Sequence, residues 1–425
     1  MPDPLPLARP LGLSPSFGFG DRLGLATLGH ARALLRHGGP IRGIFAQQSV
    51  RELTRTGREA EDVMQAAQTA LRAPEFAGIG PWGADADHLK EPADIERYAR
   101  AGFTFYTLDP SPCMEAAADA WPQEQVEARY AEIRAEVAWV EALAGQRIAV
   151  PEGPVIDCTL PQLKRAAVKI GRAIGKTVAL ARSLAESSAR HGLQTEIEVS
   201  VDETDTPTSF LEHWLVAHRL REEGVTIASL APRFPGSLEK GVEYKGDPAV
   251  LAASMNGHGA LARFMGPYKL SLHSGSDKLA IYPLLARASR GCFHVKSAGT
   301  SYLEALRVLA RHDADGFRQA IALARARYAA DRASYHVSAE LAMFPEPAGC
   351  DSAALEAAYL DRWEDTPPGR GFTGLGRQVL HCAFGSILTD PALGPRLRQV
   401  LAEHAATHEA FLVEHFARHL RALQP

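Results

Sequence analysis

Short runs rich in β-branched and aromatic residues recur through roughly the first 300 positions, and amphipathic helical patterns fill most of the gaps between them. The strand-like runs are SFGFG near Phe17, IRGIFAQ from Ile41, FAGIG from Phe76, FTFYTLD from Phe103, TEIEVSVD from Thr195, VTIASLAP from Val225, KLSLH from Lys269 and CFHVK from Cys292. The helical patterns run from Val50 to Leu71, Gln123 to Ala144, Leu160 to Arg190, Ser209 to Glu223 and Pro248 to Arg263. Parallel strands need a crossover, and a helix supplies it, so the alternation means repeated βα units around a parallel sheet. A closed barrel and an open doubly wound sheet both satisfy that pattern. Eight strands suit the barrel, and no G-x-G-x-x-G opens a helix after the first strand; the glycines of GFGDRLG have a different spacing. The predicted fold is an α/β (β/α)8 TIM-like barrel over residues 1–301. From Tyr302 onward the pattern is helical, interrupted by PEPAGCDS and EDTPPGRGFTG, so residues 302–425 are read as a C-terminal helical extension packed on the barrel.

Composition narrows the partners. With 46% hydrophobic and 23% charged residues in 425, the chain is ordinary globular material. A net charge of −4, with both signs mixed along the chain, offers no basic stripe for nucleic acid. Five scattered cysteines without a C-x-x-C pair fit a reducing compartment, and no apolar run reaches membrane-spanning length. Prolines interrupt the N-terminus where a signal peptide needs a continuous apolar core, so a cytoplasmic location is expected. Assembly into a homo-oligomer stays open.

Alternation inside the strands points to a site. In TEIEVSVD, Ile197, Val199 and Val201 share one face while Glu196, Glu198, Ser200 and Asp202 share the other. Lys269, Ser271 and His273 oppose Leu270 and Leu272, and His294 and Lys296 oppose Phe293 and Val295. Apolar faces pack on outer helices, which turns the polar set toward the barrel axis, where ionised groups must be paired, hydrated or bound to metal. After the third strand-like run, GPWGADADHLK gathers Asp85, Asp87, His88 and Lys90 in what reads as a loop at the C-terminal mouth, the face that carries chemistry in this fold. His88, His273 and His294 are the candidate metal ligands, and imidazole suits one divalent cation such as Zn, Mn, Ni or Fe(II). His213, His218 and His408 lie in helical patterns and are read as surface or packing residues, and His30 is left undecided.

The runs FGFGDRLGLATLGH, GADADHLK, EVSVDETDTPTS, APRFPGSLEKGVEYKGD, KLSLHSGSDKLAIYP and FHVKSAGTSYLEALR, in that order from Phe17 to Arg307, resemble the tagaturonate epimerase family. The resemblance implies a metal-dependent isomerase with a barrel fold that interconverts the ketohexuronates tagaturonate and fructuronate in uronate catabolism. These sugars differ at C4, which is β to the ketone, so simple enolisation cannot invert it. Loss of the O4 proton with cleavage of C3–C4 gives an enediolate and a semialdehyde, and re-addition to the other aldehyde face inverts C4. Transient oxidation at C4 is the other route, but no nucleotide fingerprint is present to hold a hydride carrier, and no nucleotide cofactor is expected.

Roles follow from that chemistry. Asp87, beside a ligand candidate, is the candidate base, and Glu203 is the candidate acid by resemblance to the family's VDET motif. Strict alternation would instead put Glu198 and Asp202 inside and turn Glu203 outward, so Glu198 stands as the alternative. A substrate carboxylate needs a cation, for which Arg233, Lys278 and Lys296 are the candidates. Another metal-dependent ketose isomerase or a class II-type aldolase acting on a related sugar or sugar acid, and a binding protein that keeps only the barrel, are the rival readings.

Overall fold

The computed structural model describes residues 6–424. Among the described residues ten strands form: β1 Ser16–Gly20, β2 Arg42–Ser49, β3 Gly83–Leu89, β4 Phe105–Leu108, β5 Arg147–Ala149, β6 Val155–Asp157, β7 Glu196–Val201, β8 Ser229–Pro232, β9 Lys269–Leu272 and β10 Phe293–Ser297. Eight of them close a barrel in the order β1-β10-β9-β8-β7-β4-β3-β2, with every neighbouring pair parallel. β5 and β6 form a separate antiparallel hairpin in the crossover from β4 to β7. The chain is therefore a closed (β/α)8 barrel with a helical C-terminal part, as the alternating pattern predicts.

One strand is displaced from its expected place. FAGIG does not pair into the barrel: Pro74–Phe76 is a single 3-10 turn, and the third barrel strand is GADADHL itself, the segment read as a loop. The inward positions of β3 are Asp85 and Asp87 and its other face is alanine, so it lacks the apolar alternation that marks the other strands. The ladder to β4 slips between Ala86 and Leu89, and His88 takes a left-handed backbone with φ 54°. Such a bulge re-aims side chains. Here it lets the consecutive residues Asp87 and His88 both border the mouth cavity.

Apolar side chains of the strands pack outward on the helices. Phe17, Phe19, Phe45, Leu270, Leu272 and Val295 are buried in the largest cluster. Leu412, Phe416 and Leu420 of the last helix, Ala405–Ala422, belong to the same cluster, and that helix lies along the first one, Thr27–His37. The helix after β10 is Thr300–His312, so the junction between residues 301 and 302 falls inside it. Among the described residues, no helix is long and apolar enough to cross a membrane.

Candidate active site

The C-terminal ends of the strands surround a cavity of about 410 Å³. At its floor Lys296 of β10 is 3% exposed, with Nζ 2.8 Å from Asp85, 2.7 Å from Asp87 and 3.0 Å from Glu198. Thr107 of β4 ties the group together: it receives a hydrogen bond from Lys296 and donates to Asp85 at 3.0 Å. Burial opposes charge on Lys296, but Asp85, Asp87 and Glu198 hold it well above the usual lysine range. For Asp87 burial likewise favours the neutral acid, yet the adjacent Lys296 prevails and keeps it ionised. Asp85, deeper and fully buried, is pushed the other way by burial.

Above this lysine stand two imidazoles whose ring centroids are 5.0 Å apart. His88 Nδ1 is 2.9 Å from Asp109 Oδ2, which fixes the ring and leaves Nε2 available. His273, just past β9, has Nε2 2.7 Å from Glu198 and Nδ1 3.1 Å from Asp202, the latter contact out of line for a hydrogen bond. Burial works against charging either ring. Asp87 and Asp109 nevertheless raise His88 to about 9, and Asp202 and Glu198 raise His273 to about 10. The backbone is strained at one ring and just after the other: His88 and Ser274 have φ of 54° and 52°. Non-glycine residues held this way cluster at functional sites.

His88, Asp202 and His273 each offer a ligand atom within 4.8 Å of the others, as do His88, Asp109 and Glu203 at the rim and Asp277, His415 and His419 away from the cavity; the first is the set with two imidazoles at the mouth. The donors fit a divalent transition metal: two imidazoles, one carboxylate, and a carboxylate behind each ring.

His294 is absent from this set. Along a strand two residues advance about 6.6 Å, so when Lys296 reaches the mouth His294 lies one layer deeper. There Nδ1 is 2.9 Å from Ser16 Oγ, the ring packs 5.1 Å from Phe105, and burial depresses its pKa to about 3. Lys278 is likewise withdrawn: its Nζ donates to the carbonyls of Glu239, Val242 and Ser276, away from the cavity. Arg233 does line the cavity, with its nitrogens bonded to the carbonyls of Thr204, Phe234 and Gly236. Glu203 is exposed on the rim, 2.9 Å from Lys90 and 3.9 Å from His88 Nδ1. His30 is core: it stacks on Phe19 and bonds Ser301 at 2.8 Å.

Several lining residues escaped the sequence reading. Alternation in β7 turns Asp202 inward, although the VDET resemblance names its neighbour Glu203. Arg51 follows Ser49, whose capping box with Glu52 starts a helix at the end of β2; that S-x-x-E was a usable signal. Lys240, Tyr335 and His336 come from irregular segments; Lys240 falls within APRFPGSLEKGVEYKGD, while Tyr335 and His336 carry no local signal.

A closed (β/α)8 barrel whose C-terminal mouth holds paired carboxylates, a buried lysine and a two-histidine donor set defines a barrel enzyme equipped for proton transfer. Residues 6–423 match the tagaturonate epimerase family. A tagaturonate/fructuronate epimerase from Thermotoga maritima is 38% identical over 413 residues, 97% of this chain and 81% of its own. Crystal structures of the fructuronate-tagaturonate epimerase from Cohnella laeviribosi, native and with glycerol bound, superpose with a TM-score of 0.89 at 32% identity, covering 98% of this chain and 83% of theirs. The chain belongs to the tagaturonate epimerase family and is an isomerase of the epimerase class.

Proposed function

We propose that the protein interconverts D-tagaturonate and D-fructuronate by inverting C4 through retro-aldol cleavage and re-addition, with one divalent cation. His88, His273 and Asp202 would hold the cation, which when bound supplies Lewis-acid stabilisation to the charge developing on the ketone oxygen. The remaining work falls to the chain's own groups. Asp87, kept ionised by Lys296, accepts the O4 proton as the C3–C4 electron pair moves into the C2–C3 bond and O4 becomes the aldehyde oxygen. After the aldehyde turns over, C3 re-adds and O4 takes a proton back, so the reaction is proton-neutral. Asp87 lies 3.8 Å from His88 Nε2 and Glu203 3.9 Å from its Nδ1, so the two carboxylates flank one ring and can serve opposite faces of C4. Lys296 keeps charge balanced in the floor while protons move.

The observation that carries this reading is that a two-histidine, one-carboxylate donor set and an ionised Asp87 border one cavity, in a member of this family. Incubation with a panel of ketohexuronates and neutral ketohexoses, with and without chelator, tests it. Interconversion of the two uronates, lost on chelation and restored by divalent metal, is the expected result. Release of three-carbon fragments would mark an aldolase, and movement of the carbonyl an aldose–ketose isomerase.

A further inference from the structure

The cavity wall carries more positive charge than its ion pairs use. Arg22 is paired with Glu52 at 2.8 Å, Lys296 with three carboxylates, and Arg233 spends its donors on backbone carbonyls. Arg51 and Lys240 are different. Both border the cavity, and among the described residues neither forms an ion pair. Arg51 has a single hydrogen bond, Nη1 to the Ser334 carbonyl at 3.2 Å, and its Nε is buried without a partner. Lys240 donates to Ser274 Oγ at 2.7 Å, the residue after His273. Tyr335, from the C-terminal helical part, lies under the Arg51 guanidinium at 4.7 Å, and its hydroxyl is also buried without a partner.

A neutral sugar gives such a pair nothing to neutralise. Two like charges beside one cavity repel, and burial followed by the Arg51 charge depresses the Lys240 pKa. An anion between them removes that cost and completes the unused donors, since guanidinium and carboxylate match as a bidentate pair. Resting on the uronate reading above, we infer that Arg51 and Lys240, backed by Tyr335, form the seat for the substrate carboxylate and make the enzyme select sugar acids over neutral ketoses. The role expected for Lys278 and Lys296 thus passes to residues whose charge is not already spent.

The test compares binding of D-glycerate and glycerol by calorimetry in wild type, Arg51→Gln, Arg51→Lys and Lys240→Gln, alongside steady-state kinetics with tagaturonate. Wild type should prefer glycerate. Arg51→Gln and Lys240→Gln should lose that preference and raise KM for tagaturonate by roughly 10- to 100-fold with kcat nearly unchanged, as expected for a charged hydrogen bond made equally in ground and transition states. Arg51→Lys, retaining the charge without the fork, should fall between. Thermal melts identify any variant that fails to fold, and the folded variants then decide. Absence of a glycerate preference in wild type, or its persistence in folded Arg51→Gln and Lys240→Gln, overturns the inference. If wild type turns over no ketohexuronate, the proposed substrate fails while the glycerate comparison still judges the anion seat.

Discussion

Replacing Lys296 with methionine removes one cation from three buried carboxylates at 2.7 to 3.0 Å. Asp85 and Glu198 are fully buried, so water replaces the ammonium poorly there, while Asp87, 7% exposed, borders the cavity. Breaking a buried pair from one side costs about 3–5 kcal/mol. For a chain of 425 residues the unfolding entropy is on the order of 0.9 kcal/mol/K, so the melting temperature should fall by roughly 3–6 °C at pH 7. The sign of the pH dependence follows from the same contacts. In wild type Lys296 depresses Asp87 and Glu198, and the stability this gives is present above their unfolded pKa values and lost as pH falls through the folded ones. Without Lys296, burial dominates and raises those carboxylates, so the variant's deficit is full at neutral pH and shrinks as they protonate. Melts followed by circular dichroism from pH 7 to pH 5 read both effects. The double variant Lys296→Met/Asp87→Asn should recover about 0.5–3 kcal/mol of the loss, because one uncompensated charge is gone. A single variant that melts with wild type at pH 7 would refute the view that this lysine holds the floor together.

His273→Ala should abolish turnover and lower bound divalent metal while the barrel stays folded; His294→Ala should keep its metal, and equal metal loss in both variants would count against separate layers. Asp87→Asn should retain metal and lose turnover by a factor of roughly 10² to 10⁴, measured as kcat on tagaturonate. Near-normal kcat would remove Asp87 from proton transfer. Glu239 is lowered to about 2, burial being outweighed by hydrogen bonds from Gln378 and Ser338, which join the β8 loop to the C-terminal part, and from Lys245 of its own loop. Its contribution is present above pH 4.5 and lost as pH falls toward 2, so Glu239→Gln should be less stable at neutral pH and show a flatter acid-unfolding curve through that window.

The barrel was legible because seven of its strands carry an apolar outer face, which hydrophobic periodicity detects. β3 was not, since its inward side chains are aspartates made tolerable in a core by distant partners, Thr107 of β4 and Lys296 more than 200 residues later. The polar interior of β7, β9 and β10 was readable from alternation, but alternation assigns a face and not a depth. His294 and Lys296 therefore looked equivalent until the layers separated them. Glu203 and Asp202 differ by the single residue at which β7 ends, and the strand end decides that Asp202 meets His273. Lys278 is indistinguishable in sequence from a lysine in the mouth; its capture by three carbonyls depends on the fold of residues 239–242. Arg51 and Tyr335 meet from opposite parts of the chain, and nothing local joins them.

The central claim is that C4 inverts by breaking C3–C4 while the C4–H bond survives. The deuterium isotope effect on kcat/KM with tagaturonate labelled at C4 tests it directly, because direct deprotonation and transient hydride transfer both break that bond and retro-aldol cleavage does not. The account predicts an effect near unity, with the deuterium retained in the fructuronate formed. A large primary effect would contradict it: loss of the label to solvent would then assign a base to carbon, and its retention a hydride transfer with the base still on O4.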